Sequence, residues 1–177
     1  MPDARIERDG TFRLGLSNAD PYLALWTTLT FFPWLEASGR YTRISGVPGF
    51  GEGTPETETF GDFKDKSFDG KLRLWDEGAR LPALALGVQD MQGTNIFEAQ
   101  YVALSKRFGD IDVTLGYGRE RIDGLFGGVR YSPASLPNWS FVTEYDANDY
   151  RRDVGSDRSG AAGRKKGINV DAEVRWR

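Results

Sequence analysis

A chain of 177 residues with net charge −3 is long enough for one domain, expected over 1–177, and too weakly charged to show a footprint for nucleic acid. The absence of Cys removes disulfides and thiolate chemistry, and the absence of His removes the usual general base of serine hydrolases and the commonest zinc ligand. With 39% apolar residues and a mean hydropathy of −0.50, no stretch supplies the roughly 20 apolar residues of a transmembrane helix, but 22 Gly and 13% aromatics suit an all-β chain.

Residues 1–10 are polar and lack the basic and apolar regions of a signal peptide, although a strand signal begins almost at once at Thr11–Leu16. Met1 is therefore read as internal to a longer gene. Asn18 to Pro21 form a turn, and Tyr22–Phe32 is an uncharged run with two fairly apolar faces. From Trp34 to Ile44 the alternation is weaker, with Glu36 and Arg40 on one face. Residues 46–65, dense in Gly, Pro, Thr and acids, are expected to be a long loop.

Alternation resumes with Phe68, Gly70, Leu72 and Leu74 against Asp69, Lys71, Arg73 and Trp75, then Leu84, Leu86 and Val88 against Ala85, Gly87 and Gln89. The clearest hairpin follows. Phe97, Ala99, Tyr101 and Ala103 oppose Glu98, Gln100, Val102 and Leu104, the chain reverses at Phe108-Gly109-Asp110, and Ile111, Val113, Leu115 and Tyr117 oppose Asp112, Thr114 and two glycines. Strands near Leu125–Tyr131 and Trp139–Asp146 come next, then a polar loop over 153–166, and finally Ile168, Val170, Ala172, Val174 and Trp176 against Asn169, Asp171, Glu173, Arg175 and Arg177.

Turn residues recur about every ten positions, the spacing of an antiparallel meander of about ten strands. A membrane β-barrel, or part of a larger one, gives this pattern with the apolar face in lipid and the polar face in a wet lumen. A soluble sandwich or barrel gives the same string with the apolar face inside.

Three stretches, PDARIERDGTFRLGLSNADPYLALWTTLTFFPWLEASGRYT, LGVQDMQGTNIFEAQYVALSKRFGDIDVTLGYG and FVTEYDANDY, in that order and spacing, resemble the YjbH family of outer-membrane proteins encoded with exopolysaccharide genes. The resemblance implies a bacterial outer-membrane β-barrel that takes part in exopolysaccharide production or export and is not an enzyme. Its implied partners are outer-membrane lipid, exopolysaccharide and other secretion proteins. Family members are longer and carry a signal peptide, so the chain is expected to be an N-terminal segment that has lost its own by truncation. The alternative is a soluble periplasmic carbohydrate-binding domain.

No catalytic, cofactor or metal residue is assigned. Glu144, Asp146 and Asp149 carry oxygen ligands for Ca²⁺, but their spacing fits no EF-hand loop, and a polar lumen face followed by a turn at Asn148-Asp149 is the preferred reading. Trp26, Trp34, Trp75, Trp139 and Trp176 could be sugar platforms, yet at strand ends they read first as interfacial girdle residues. The polar residues expected to face a lumen are Lys71, Arg73, Glu98, Gln100, Arg130, Glu144, Asp171, Glu173 and Arg175.

Overall fold

The computed structural model describes residues 1–49, 61–153 and 165–174. They form one ten-stranded antiparallel sheet in which each strand pairs with its neighbours in sequence. The strands are β1 (Phe12–Ala19), β2 (Tyr22–Phe32), β3 (Leu35–Pro48), β4 (Asp62–Trp75), β5 (Ala83–Gly93), β6 (Ala99–Phe108), β7 (Ile111–Glu120), β8 (Gly124–Tyr131), β9 (Trp139–Asp149) and β10 (Lys165–Val174). A single 3₁₀ turn, Tyr150–Arg152, follows β9. Among the described residues β1 and β10 do not pair with each other, so the sheet is curled but not closed. The curl brings the Tyr22 ring of β2 within 6.1 Å of Phe97, just before β6, and sets β1 and β10 on the border of one cavity.

Side chains divide between the faces as alternation requires. Leu14 (62% exposed), Leu115 (56%) and Val170 (75%) mark an outer face on which the large apolar residues lie uncovered. The inner face buries small and polar groups, among them Ala83, Ala85, Ala99 and Ala103 beside Thr28, Glu36, Ser67, Ser105 and Thr114. This is the reverse of a soluble sandwich, whose Leu and Val faces pack together.

Three large inner rings are admitted by glycines directly across the ladder. Trp26 is in register with Gly15, Tyr101 with Gly87 and Phe126 with Gly116. A Cβ at any of these glycines would stand 2.1 to 2.2 Å from the ring opposite. Each ring lies over the bare backbone of the neighbouring strand, in space that a side chain at the glycine would take. Turn chemistry fixes the central hairpin, where Gly109 (φ 60°) and Asp110 join β6 to β7.

Several expected boundaries shift. β3 continues to Pro48 and β4 begins at Asp62, so the ladder enters the expected 46–65 loop from both sides; residues 50–60 of that loop lie outside the described residues. Its acids and glycines obscured the alternation, because Asp65 and Ser67 point to a polar interior instead of an apolar core. Likewise β9 runs to Asp149 and β10 starts at Lys165, leaving 154–164 of the expected 153–166 loop outside the described residues. A register shift between Arg73 and Trp75 sets Trp75 opposite the outer residue Leu84, away from the charged face on which simple alternation placed it.

Exposed aromatics gather at the end of the sheet where β2–β3, β4–β5, β6–β7 and β8–β9 turn. Phe32 stacks on Trp34 with centroids 5.1 Å apart, Trp139 on Phe141 at 6.3 Å, and Trp75, Phe108 and Tyr131 continue the row. Of the remaining tryptophans, Trp26 faces inward and Trp176 lies outside the described residues.

Candidate functional site: the charged interior

The inner face carries a chain of ion pairs around a cavity of about 1340 Å³. Glu36 on β3, only 8% exposed in its side chain, sits between Arg13 of β1 (2.9 Å) and Lys71 of β4 (3.1 Å). Lys71 also donates to the Arg5 carbonyl at 2.6 Å. The Arg5 guanidinium spans two carboxylates, Glu77 at 2.6 Å in the β4–β5 turn and Asp112 at 2.9 Å on β7. Beyond these, Arg130 of β8 pairs with Glu173 of β10 at 2.8 Å, and Glu144 of β9 accepts from the Met1 amine at 2.8 Å and from the Asn169 amide at 3.3 Å.

Five of the nine residues selected by sequence therefore border one cavity: Lys71, Arg130, Glu144, Asp171 and Glu173. Arg73 lies at the rim, paired with Asp76 at 2.6 Å and donating to the Pro33 carbonyl. Glu98 and Gln100 are placed differently. Both are exposed, and Gln100 shares the outer face of β6 with Leu104, because Ala99, Tyr101, Ala103 and Ser105 turn inward. The small size of those inward residues made the polar set look like the inner one. Arg175 lies outside the described residues.

Arg5, Arg13, Glu36, Glu77 and Asp112 were not selected from sequence. Asp112 stood on the polar side of the sharpest alternation and Glu36 on the same face as Arg40, so both carried a signal. Arg5 carried none, because residues 1–10 belong to no periodic segment. Glu36 and Arg40 do share the inner face, but Arg40 goes elsewhere, donating to Ser67 at 3.2 Å and lying 5.5 Å from the Phe97 ring centroid.

At the opposite end, Phe97 is held between Arg40 and Arg121, whose guanidinium stands 5.1 Å from its centroid. Arg121 forms a bidentate pair with Asp153 at 2.8 and 2.7 Å, and Asp153 is 4% exposed. Burial alone would lower the Arg121 pKa; the paired Asp153 outweighs it and raises the pKa, so this charge pair is fixed. The layer thus stacks two guanidinium groups on one ring at that end, with Asp153 offsetting the charge of Arg121.

Glu77 illustrates the balance at the other end. Desolvation pushes its carboxyl up, but the Arg107 N–H at 3.0 Å and the Arg5 and Lys106 cations prevail and hold it at about 2. Glu144, Asp146 and Asp149 do not converge: Asp146 accepts from the Asn148 N–H and the Tyr150 hydroxyl, and Asp149 pairs with Arg151 at 2.8 Å. Among the described residues no three such side chains are grouped to hold a metal ion. What the interior offers is a polar surface of alternating charges, able to hydrogen-bond a polar chain.

Residues 1–124 match the family described as "Exopolysaccharide biosynthesis protein YbjH". The curated relative "Uncharacterized lipoprotein YjbH" of Escherichia coli (strain K12) is 33% identical over 219 aligned residues, covering 98% of this chain. The chain spans 30% of that relative's length. No solved structure matches. The family match covers well over half of the chain, and the similarity to the relative runs through nearly all of it: the chain belongs to the YjbH family of exopolysaccharide biosynthesis proteins.

Proposed function

We propose that this chain is part of an outer-membrane β-barrel that takes part in exopolysaccharide production or export, guiding a polar glycan and making or breaking no bond. The observation that carries this reading is the division of the sheet into an uncovered outer face of Leu, Val, Ile and aromatic side chains and an inner face of ion pairs, hydroxyls and small residues. Lipid satisfies the first and a hydrated lumen the second. Six of the ten strands have 10 or 11 residues, the length that crosses a bilayer when tilted by roughly 45°. The aromatic row from Trp34 to Phe141 fits a girdle at one membrane interface. The lipoprotein designation of the Escherichia coli relative supports an envelope location. The β1 and β10 edges would have to pair in lipid, with each other or with strands of a longer polypeptide, since an open ladder there leaves N–H and C=O groups without partners.

Partners in this reading are outer-membrane lipid on the outer face, exopolysaccharide on the inner face, and other secretion proteins at the rims. Fractionation of the full-length protein tests it: recovery only with detergent from the outer-membrane fraction is expected, and recovery from the periplasm without detergent overturns it. Bilayer conductance that changes ion preference on charge reversal at Arg73 and Glu173 separates transport from plain anchoring.

A further inference from the structure

Residues 2–9 cross the inner face without joining any strand. Ala4 is fully buried there and donates its N–H to Ser105 Oγ of β6 at 3.0 Å; that hydroxyl is in turn 2.8 Å from Thr114 Oγ1 of β7. Lys71 of β4 grips the Arg5 carbonyl, while Glu77 and Asp112 hold its guanidinium. The segment thus runs across β4, β6 and β7 and forms one wall of the cavity, to which Asp3, Arg5, Ile6 and Glu7 contribute.

Its attachment differs from that of the sheet. Only a methyl group, that of Ala4, is fully buried, which amounts to about 1 kcal/mol of apolar burial, with Pro2 and Ile6 half-buried on either side of it. The remaining grip is polar and incomplete, since Arg5 Nε is buried without an acceptor. A ladder strand would forfeit a row of backbone hydrogen bonds on leaving; this segment forfeits a few side-chain contacts that water in a lumen replaces.

We propose that residues 2–9 are a displaceable strap that closes the polar interior, locked by Arg5 between Glu77 and Asp112 and opened when that clasp breaks. The strap rests on the lumen reading above and adds how passage is controlled. Unlocking leaves the Phe97 layer in place at the other end, so the strap and the stacked layer are separate barriers in series.

The test uses the full-length protein in lipid vesicles and planar bilayers, with Ala4→Cys as a reporter of strap position. Labelling by a polar maleimide is expected to be at least tenfold faster when Arg5→Ala is added, and equally so with Glu77→Gln plus Asp112→Asn, which leaves the strap sequence intact. Bilayer current is expected to rise at least threefold in both backgrounds without the reporter. Unchanged labelling in both backgrounds beside a measurable parent current overturns the strap alone. Accelerated labelling with an unchanged, non-zero current shows that the segment moves without gating and overturns the proposal. Accelerated labelling with no current in any variant sinks the pore reading, and the gate with it.

Discussion

Replacing Gly116 by Ala is the sharpest probe of how the interior is packed. The added Cβ would lie 2.1 Å from Phe126 Cζ and 2.7 Å from the Val102 carbonyl oxygen. The ring must therefore move by roughly 1 Å or more to reach ordinary contact distance. It has little room: Phe126 is 2% exposed, edge-on to Tyr101 at 6.3 Å, and clustered with Ile122 and Ala147. Overpacking of this kind costs about 1–3 kcal/mol, and a displaced ring forfeits part of the ~3–5 kcal/mol that a buried Phe contributes. Alanine regains about 0.5–1 kcal/mol through backbone entropy, leaving a net loss of about 2–3 kcal/mol.

The measurement is the denaturant midpoint of the refolded protein in detergent, with Gly78→Ala as reference because nothing lies within 4 Å of a Cβ at that position. Gly15→Ala provides a second comparison. Its Cβ would be 2.2 Å from Trp26, but that ring borders the cavity and has space to swing aside, so a loss of about 1 kcal/mol is expected. Combining Gly116→Ala with Phe126→Leu should recover at least about 1 kcal/mol relative to the sum of the single losses. Unfolding of Gly116→Ala within about 0.5 kcal/mol of Gly78→Ala would refute this tight packing around Phe126.

Three further outcomes are expected. The Glu77 carboxyl, depressed from 4.5 to about 2, contributes stability present in full above its unfolded value and lost as pH falls from 4.5 towards 2. The nominal linkage of about 3 kcal/mol shrinks to about 1 kcal/mol once solvent screening is allowed for, and a pH titration of the unfolding midpoint should lose that component in Glu77→Gln. Arg121→Met strands the Asp153 carboxylate in a site where it is 4% exposed and should cost about 3–5 kcal/mol, whereas adding Asp153→Leu should restore much of it; equal loss in single and double variants counts against a buried pair. Leu115→Arg separates the two solvents: facing lipid it should cost about 2–4 kcal/mol in vesicles, and a change below about 0.5 kcal/mol would indicate that water meets this face.

The meander was legible because alternation survives wherever one face is apolar and the other polar. β7 is the plainest case, with Ile111, Val113, Leu115 and Tyr117 all exposed and Thr114, Gly116 and Gly118 all buried. It blurred where both faces are polar, as in β4 from Asp62 to Ser67, and where a bulge broke the period at Trp75. For the same reason the polar residues picked from the sequence lie on the inner face where that face is charged, as Arg130 and Glu173 do, and lie on the outer face of β6, where the inner face is Ala and Ser. Arg5 could not have been found this way. A segment that crosses a sheet obeys no strand period, and its place depends on Lys71, Glu77, Ser105 and Asp112, which the chain brings together only when the sheet curls.

Alternation alone is indifferent to solvent, since exchanging inside for outside leaves the string unchanged. The cross-strand glycines remove that symmetry. Gly15, Gly87 and Gly116 each leave bare backbone beneath a ring on the inner face, an arrangement useful only where the wall is tightly curved and side chains compete for volume. On the outer face of a curved sheet side chains diverge, and there Leu14, Leu115 and Val170 stand without such accommodation. Curvature thus assigns the rings and ion pairs to a narrow interior and the leucines to the surroundings. Lipid around the sheet, as proposed, or a partner covering it would shield those leucines, and Leu115→Arg distinguishes them, because a partner-covered face would lose the partner on substitution while a lipid-covered face would lose its place in the bilayer.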